Sequence, residues 1–285
     1  MRTISGGELD YLRAMTNSEG REERRDRISL RGLVIDPLTE AEAISRIFLA
    51  LDRGHGGTVL TPNLDHLRRF VRDSSVRAAY REAELVLADG FPLVWASRLQ
   101  RTPLPCRVAG SDLIWAVCEA AAGRDRSIFL LGGAPGVARA ASARLRQRFA
   151  GLQVAGDYCP APGFIADPDQ MNAISELVAS SAPHLVLVGL PSPMAENVIS
   201  RLREAIPSAW FFGLGVSLSF VSGDVKRAPR AIQRIGLEWL WRIYQEPRRL
   251  ARRYLLDGVP FAIQLLVGAA AARYREREVA ASREA

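Results

Sequence analysis

From Arg27 onward, short aliphatic or β-branched runs alternate with stretches in which apolar residues recur at three- and four-residue spacing. The runs predict strands: Ile28–Ile35 as a strand or hairpin arm, then Gly57–Leu60, Leu85–Leu87, Ile128–Leu131, Leu152–Ala155, Leu185–Val188 and Trp210–Gly213. The periodic stretches predict helices. The first follows the capping-box pattern Thr39-x-x-Glu42 and runs to about Leu51. Others are expected over Leu64–Arg72, Ser75–Ala83, Phe91–Leu99, Ser111–Ala122, Val137–Phe149, Asp169–Ser180 and Met194–Ile206. Apolar strands alternating with amphipathic helices predict an α/β fold whose mostly parallel sheet carries helices on both faces.

The texture changes at both ends. Residues 1–27 are polar and charged, lack the apolar stretch of a secretory signal, and read as a flexible leader. Residues 28–229 hold the strand–helix alternation, and 230–258 form a Trp-, Tyr- and Arg-rich helical arm. Residues 259–285 form an amphipathic tail whose apolar run, Val259–Ala272, is shorter than the roughly 20 residues a spanning helix needs. That run is expected to lie on a membrane instead.

Charge sharpens the picture of the arm. The chain carries a formal +7, and nine Lys/Arg against four Asp/Glu between Ser222 and Asp257 supply most of it. A localised excess points to an anionic partner, either a phosphorylated substrate or an anionic membrane surface. No nucleic-acid-binding motif accompanies it. Cys106, Cys118 and Cys159 show no CxxC or Cys/His spacing, which predicts a reducing compartment and no structural zinc.

In an open parallel sheet, ligands bind beyond the carboxyl ends of the strands. There the chain places Thr61-Pro62-Asn63-Leu64-Asp65-His66, Ala88-Asp89-Gly90, Gly132-Gly133-Ala134-Pro135-Gly136, Gly189–Glu196 and Gly213–Gly215. Asp89 is either a general base at the floor of a cleft or the N-cap of the helix from Phe91. Thr61, Asn63 and Asp65 are pocket walls or caps. His66 reads as a packing or surface residue. The Gly132–Gly136 turn either offers amides to a diphosphate or serves close strand–helix packing. It is not a GxGxxG, which disfavours a nicotinamide-dependent oxidoreductase. Asp167-Pro168-Asp169 has the letters of a metal–diphosphate site in a setting where capping carboxylates are common. In the arm, Arg242, Arg249 and Arg252 or Arg253 would share a face if the helix continued, but Pro247 must kink or restart it.

Taken together, the stretches TPNLDHL (61–67), ADGFPLVWASRL (88–99), RVAGSDLI (107–114), FLLGGAPGVA (129–138), VGLPSPMAE (188–196) and VKRAPRAIQRIGLEWLWRIYQEPRRLARRYL (225–255) resemble the WecG/TagA/CpsF glycosyltransferases, glycosyltransferase family 26. The wording is similar to exopolysaccharide-type members. The resemblance implies a Rossmann-like fold with a helical appendage. It also implies inverting transfer from a UDP-sugar to a polyprenyl-diphosphate-linked saccharide, by an enzyme peripheral to the inner face of the cytoplasmic membrane. It implies that Asp89 is the base and that Thr61, Asn63 and Arg107 line the pocket. Arg242, Arg249 and Arg252 are then expected to close over the diphosphate. Within the matching stretches, Asp65, Gly110, Asp112, Gly132, Gly133, Gly136, Ser192, Glu196 and Gln233 are further expected binding positions. Neither a cofactor nor a metal is expected, and homo-oligomerisation is left open. Two departures stand out: Pro191 and Ala195 replace the glycine and glutamine of the usual GSPxQE, and Ser219 replaces an aspartate. They imply altered sugar specificity or, as a rival, a degenerate nucleotide-sugar-binding scaffold.

Overall fold

The computed structural model describes residues 26–234 and 236–284; the side chains of Arg234, Arg249 and residues 274–284 are outside the description. The leader expected over residues 1–27 lies outside the described residues as far as position 25.

The Ile28–Ile35 run folds as a hairpin, β1 (Ile28–Leu30) antiparallel to β2 (Leu33–Ile35), turning through Arg31 and Gly32 with φ of 53° and 85°. Six further strands form one sheet: β3 (Gly57–Leu60), β4 (Leu85–Val86), β5 (Ile128–Gly132), β6 (Val154–Tyr158), β7 (Leu185–Gly189) and β8 (Trp210–Gly213). Their spatial order is β4-β3-β8-β7-β5-β6, and every pairing is parallel. The edge strand β6 lies later than the predicted Leu152–Ala155. Its half-exposed positions take Asp157 and Tyr158, residues that read as loop in the sequence. An edge strand needs only partial apolar character, so the hydrophobic signal there is weak.

Successive side chains of a strand point to opposite faces, and the core divides accordingly. Val59, Leu85, Leu130, Leu187 and Phe212 pack with α1 (Glu40–Asp52), α5 (Gly110–Ala122), α6 (Val137–Arg148) and α9 (Ser217–Ser222). Leu60, Val86, Leu131, Val188 and Phe211 face the other way. They meet the hairpin, α2 (Leu64–Arg72), α3 (Ser74–Glu82), α4 (Phe91–Leu99), α7 (Pro168–Ser180) and α8 (Met194–Ala205). The predicted capping box starts α1: the Glu42 N–H donates to Thr39 Oγ1 at 3.3 Å, and the Thr39 N–H donates to Glu42 Oε2 at 2.7 Å. Asp167 caps α7, accepting from the N–H groups of Asp169 and Gln170. Its neighbourhood with Pro168 is therefore that of a helix start.

The arm comprises α10 (Arg230–Arg234), α11 (Glu238–Gln245), α12 (Pro247–Ala251) and a π-helical segment, Arg252–Gly258. A long helix α13 (Val259–Glu284) follows. Pro247 restarts the helix, and Glu246 before it is non-helical at φ −132° and ψ 64°. Because the π-helical turns extend the apolar stretch, Arg252–Arg273 is long and apolar enough to cross a bilayer by length and composition, longer than the run read in the sequence. Yet Phe261, Leu265 and Ala269 pack into the domain core beside α4. The helix cannot be surrounded by lipid while those contacts hold. Its opposite side leaves Leu256, Ile263 and Val267 exposed.

Candidate active site

Asp89 stands just past β4, fixed by its own N–H donating to Pro62 O at 2.9 Å. The rival reading of Asp89 as a cap fails. The N-cap of α4 is Gly90, held at φ 140°, and no side chain caps that helix. Instead the carboxylate takes a hydrogen bond from the Gly110 N–H in the first turn of α5, a helix that also lacks a side-chain cap. Gly110 is required there, because a Cβ would meet Thr61 Oγ1 at 2.9 Å. Thr61 is buried, and its hydroxyl donates to Gly213 O at 3.3 Å. Thr61, Gly110 and Asp89 thus share the floor of one site.

Around Asp89 is a chain of alternating charges. The Arg107 guanidinium lies 3.8 Å from Asp89, 3.4 Å from Asp112 and 3.4 Å from Glu238. Arg227 donates to both oxygens of Asp112, at 2.6 and 2.9 Å, and lies 3.4 Å from Glu238. Arg107 also sits over the Phe91 ring at 5.5 Å. Of the three carboxylates, Asp89 has the longest contact with a cation. Burial pushes its pKa up from 3.8 to about 7; Arg107 opposes that rise, while Glu238 and Asp112 reinforce it. A carboxylate that takes up a proton near neutrality is suited to general-base chemistry.

Arg227 and Glu238 were not singled out from the sequence. Both lie inside the VKRAP…GLEW stretch, where nothing local sets Arg227 apart from the other cations or shows that Glu238 meets Arg107. The arm reaches Asp89 through Glu238. Arg242 is half-buried on α11, and Arg252 is exposed on the π-helical segment. The break expected at Pro247 is present, and the π-helical turns after Ala251 further interrupt the regular spacing that a shared face would need. The Arg249 side chain lies outside the described residues.

Arg253, beside Arg252, forms an ion pair with Asp65 at 2.8 Å. Asp65 also holds Arg68 at 2.9 Å and Arg69 at 3.1 Å, and these three guanidiniums keep its carboxyl below the usual range against the opposing effect of burial. Its oxygens are taken up in fastening the arm to α2. Asn63 caps α2, accepting from the N–H groups of Asp65 and His66, which leaves its amide NH2 for a ligand. Gln233 donates to Ala228 O at 2.6 Å within the arm. Ser192 and Glu196 lie beyond β7, each with a buried side-chain oxygen that has no partner among the described residues.

The Gly132–Gly136 turn lies elsewhere. β5 is four strand spacings from β4, about 19 Å at 4.7–4.9 Å each. That is too far for its amides to hold the diphosphate of a sugar lying on Asp89. A Cβ at Gly132 would meet the Gly189 backbone at 2.9 Å, and one at Gly133 would meet Val137 at 2.5 Å. The Ala138 N–H already donates to Cys159 Sγ. Of the two readings of this turn, close packing is the one the geometry fits. No group of three or more His, Cys, Asp or Glu side chains is placed to hold a metal among the described residues.

Beside Arg107 opens a cavity of about 660 Å³ between α4, the 105–107 loop, Asp112 and α10. It is large enough for a sugar and its phosphates.

The sequence model of the family described as glycosyl transferase WecG/TagA/CpsF matches residues 28–275. An N-acetylglucosaminyldiphosphoundecaprenol N-acetyl-beta-D-mannosaminyltransferase of Bacillus spizizenii is 32% identical over 202 residues, which cover 71% of this chain and 76% of that protein.

Proposed function

Because this chain belongs to the WecG/TagA/CpsF family and is a glycosyltransferase, we propose that it moves an N-acetylhexosamine from a UDP-sugar onto a polyprenyl-diphosphate-linked saccharide. The product serves exopolysaccharide or other cell-surface polysaccharide synthesis. The observation that carries the reading is Asp89: a carboxylate whose pKa burial raises to about 7, at the strand ends, 3.8 Å from Arg107, which lines a sugar-sized cavity. The relative's name supplies the class of acceptor and transferred sugar.

In this mechanism Asp89 removes the proton of the acceptor hydroxyl. The acceptor oxygen forms its bond to the anomeric carbon on the face opposite the diphosphate. The bond from that carbon to the UDP oxygen breaks, its electron pair leaves with UDP, and the proton remains on Asp89. Configuration inverts in one displacement. Arg107 and Arg227, joined through Asp112 and Glu238, are the guanidiniums assigned to neutralise charge growing on the leaving diphosphate, with Arg242, Arg249 and Arg252 of the arm following later in the chain. We assign that neutralisation to guanidinium groups and not to a metal. The use of Asp167 as a helix cap supports this assignment.

The arm and α13 also support a peripheral position on the inner face of the cytoplasmic membrane. Basic residues meet anionic lipid, and Leu256, Ile263 and Val267 meet its acyl region. The direct test is a screen of UDP-sugars for transfer onto a short-chain polyprenyl-diphosphate monosaccharide, read by mass spectrometry. A product heavier by one N-acetylhexosamine supports the reading; no product with any donor favours the scaffold alternative.

A further inference from the structure

α4 leads away from Asp89, and one stripe of it, Phe91, Val94, Trp95 and Arg98, lines the 660 Å³ cavity. These positions recur at the three- and four-residue spacing of one helix face. Pro105, Cys106, Arg107 and Asp112 form part of the wall, and Arg230 and Gln233 of α10 complete it. The inner end belongs to the site described above, since Arg107 is 3.8 Å from Asp89. The outer end differs in charge. Arg107 has carboxylate partners, whereas the exposed Arg98 and Arg230 side chains have neither a hydrogen bond nor an ion pair among the described residues. Between the two ends lie aromatic surfaces: Phe91 and Trp95 sit with ring centroids 6.0 Å apart, and Trp95 is 45% exposed. α4 packs along α13, and both helices leave apolar side chains exposed: Trp95 and Leu99 on one, Ile263 and Val267 on the other.

We propose that this cavity is the acceptor subsite, in which Arg98 and Arg230 grip the diphosphate of the lipid-linked sugar and Trp95 lies against its first ring. The assignment rests on the transferase reading given above. Its order follows from the helix as a ruler. Phe91 and Arg98 are seven residues apart, about 10 Å along the axis. One pyranose with its diphosphate covers a comparable length, so a hydroxyl of the first sugar reaches Asp89 when the phosphates reach Arg98. A longer saccharide would carry its diphosphate beyond both arginines. The lipid then leaves the cavity toward the apolar side chains of α4 and α13. Unpaired guanidiniums suit this role, because all of their charge-assisted donors are available to a diphosphate.

The test uses the full chain with Arg98→Ala, Arg230→Ala, the double variant and the corresponding Lys variants. KM is measured separately for the UDP-sugar and for a short-chain polyprenyl-diphosphate monosaccharide. Each Ala variant is expected to raise acceptor KM about tenfold, the double more steeply, with donor KM and UDP affinity unchanged and partial recovery with Lys. An unchanged acceptor KM overturns the proposal. So does a fall in UDP affinity that matches the rise in acceptor KM, which would give the cavity to the donor's diphosphate. Quenching of tryptophan fluorescence by the acceptor alone, compared between the native chain and Trp95→Phe, reads the subsite without turnover. If no donor supports transfer but the acceptor still quenches Trp95, the subsite stands and the transferase reading fails. If transfer proceeds with no quenching of Trp95, the subsite fails alone.

Discussion

Replacing Asp89 with asparagine removes an ionisation that the folded chain resists. The carboxyl is neutral in both folded and unfolded states below about pH 3.8, and the folded state holds its proton up to about 7. Between those values the unfolded chain releases a proton that the folded chain keeps, so stability falls as pH rises through the window. Above pH 7 the whole cost is present. A displacement of about three units corresponds to about 4 kcal/mol as an upper limit. Movement of the arm that rehydrates Asp89 would reduce it, so 1–4 kcal/mol is the expected range at pH 8.5 (on the order of the linkage cost). For a chain of this size that is roughly 3–12 °C in Tm. Asparagine keeps the shape and cannot ionise. Asp89→Asn should therefore melt higher than the native chain at pH 8.5 and close to it at pH 3.5, by scanning calorimetry at both values. A variant less stable at pH 8.5, or an offset identical at both pH values, would refute the reasoning.

Other expectations follow from the same contacts. Because the base must be ionised, kcat/KM should fall about tenfold per unit as pH drops below about 7; a flat profile down to pH 5.5 contradicts that. Glu238→Gln frees Arg107 to settle on Asp89, so the acid limb of the same profile should move to lower pH. Asp65→Asn leaves Arg68, Arg69 and Arg253 without their shared anion. It should cost about 3 kcal/mol and admit protease to the arm at concentrations that spare the native chain. Asp167→Ala removes a cap worth about 1 kcal/mol and should leave kcat unchanged, measured by melting and transfer side by side.

The sheet was readable because its central strands are buried on both faces, so Ile128–Leu131 and Leu185–Val188 form uninterrupted apolar runs. Thr39 and Glu42 announced α1 because a capping box is a local interaction three residues long. Strand order is not local. The Gly132–Gly136 turn and Asp89 both follow strands, and only the order β4-β3-β8-β7-β5-β6 shows that four spacings separate them. The basic arm was legible as charge, while its path was not. Pro247 signalled a break without saying how the chain would turn afterwards, and the π-helical segment Arg252–Gly258 leaves no periodicity to read. Glu238 was hidden for a different reason: its significance lies in sharing Arg107 with a carboxylate 149 positions earlier in the chain.

The most direct measurement is transfer of the N-acetylhexosamine by Asp89→Asn, with UDP binding followed calorimetrically on the same preparation. Loss of product with UDP affinity retained is the predicted result. Native rates of transfer in that variant would contradict the assignment of Asp89 as the base.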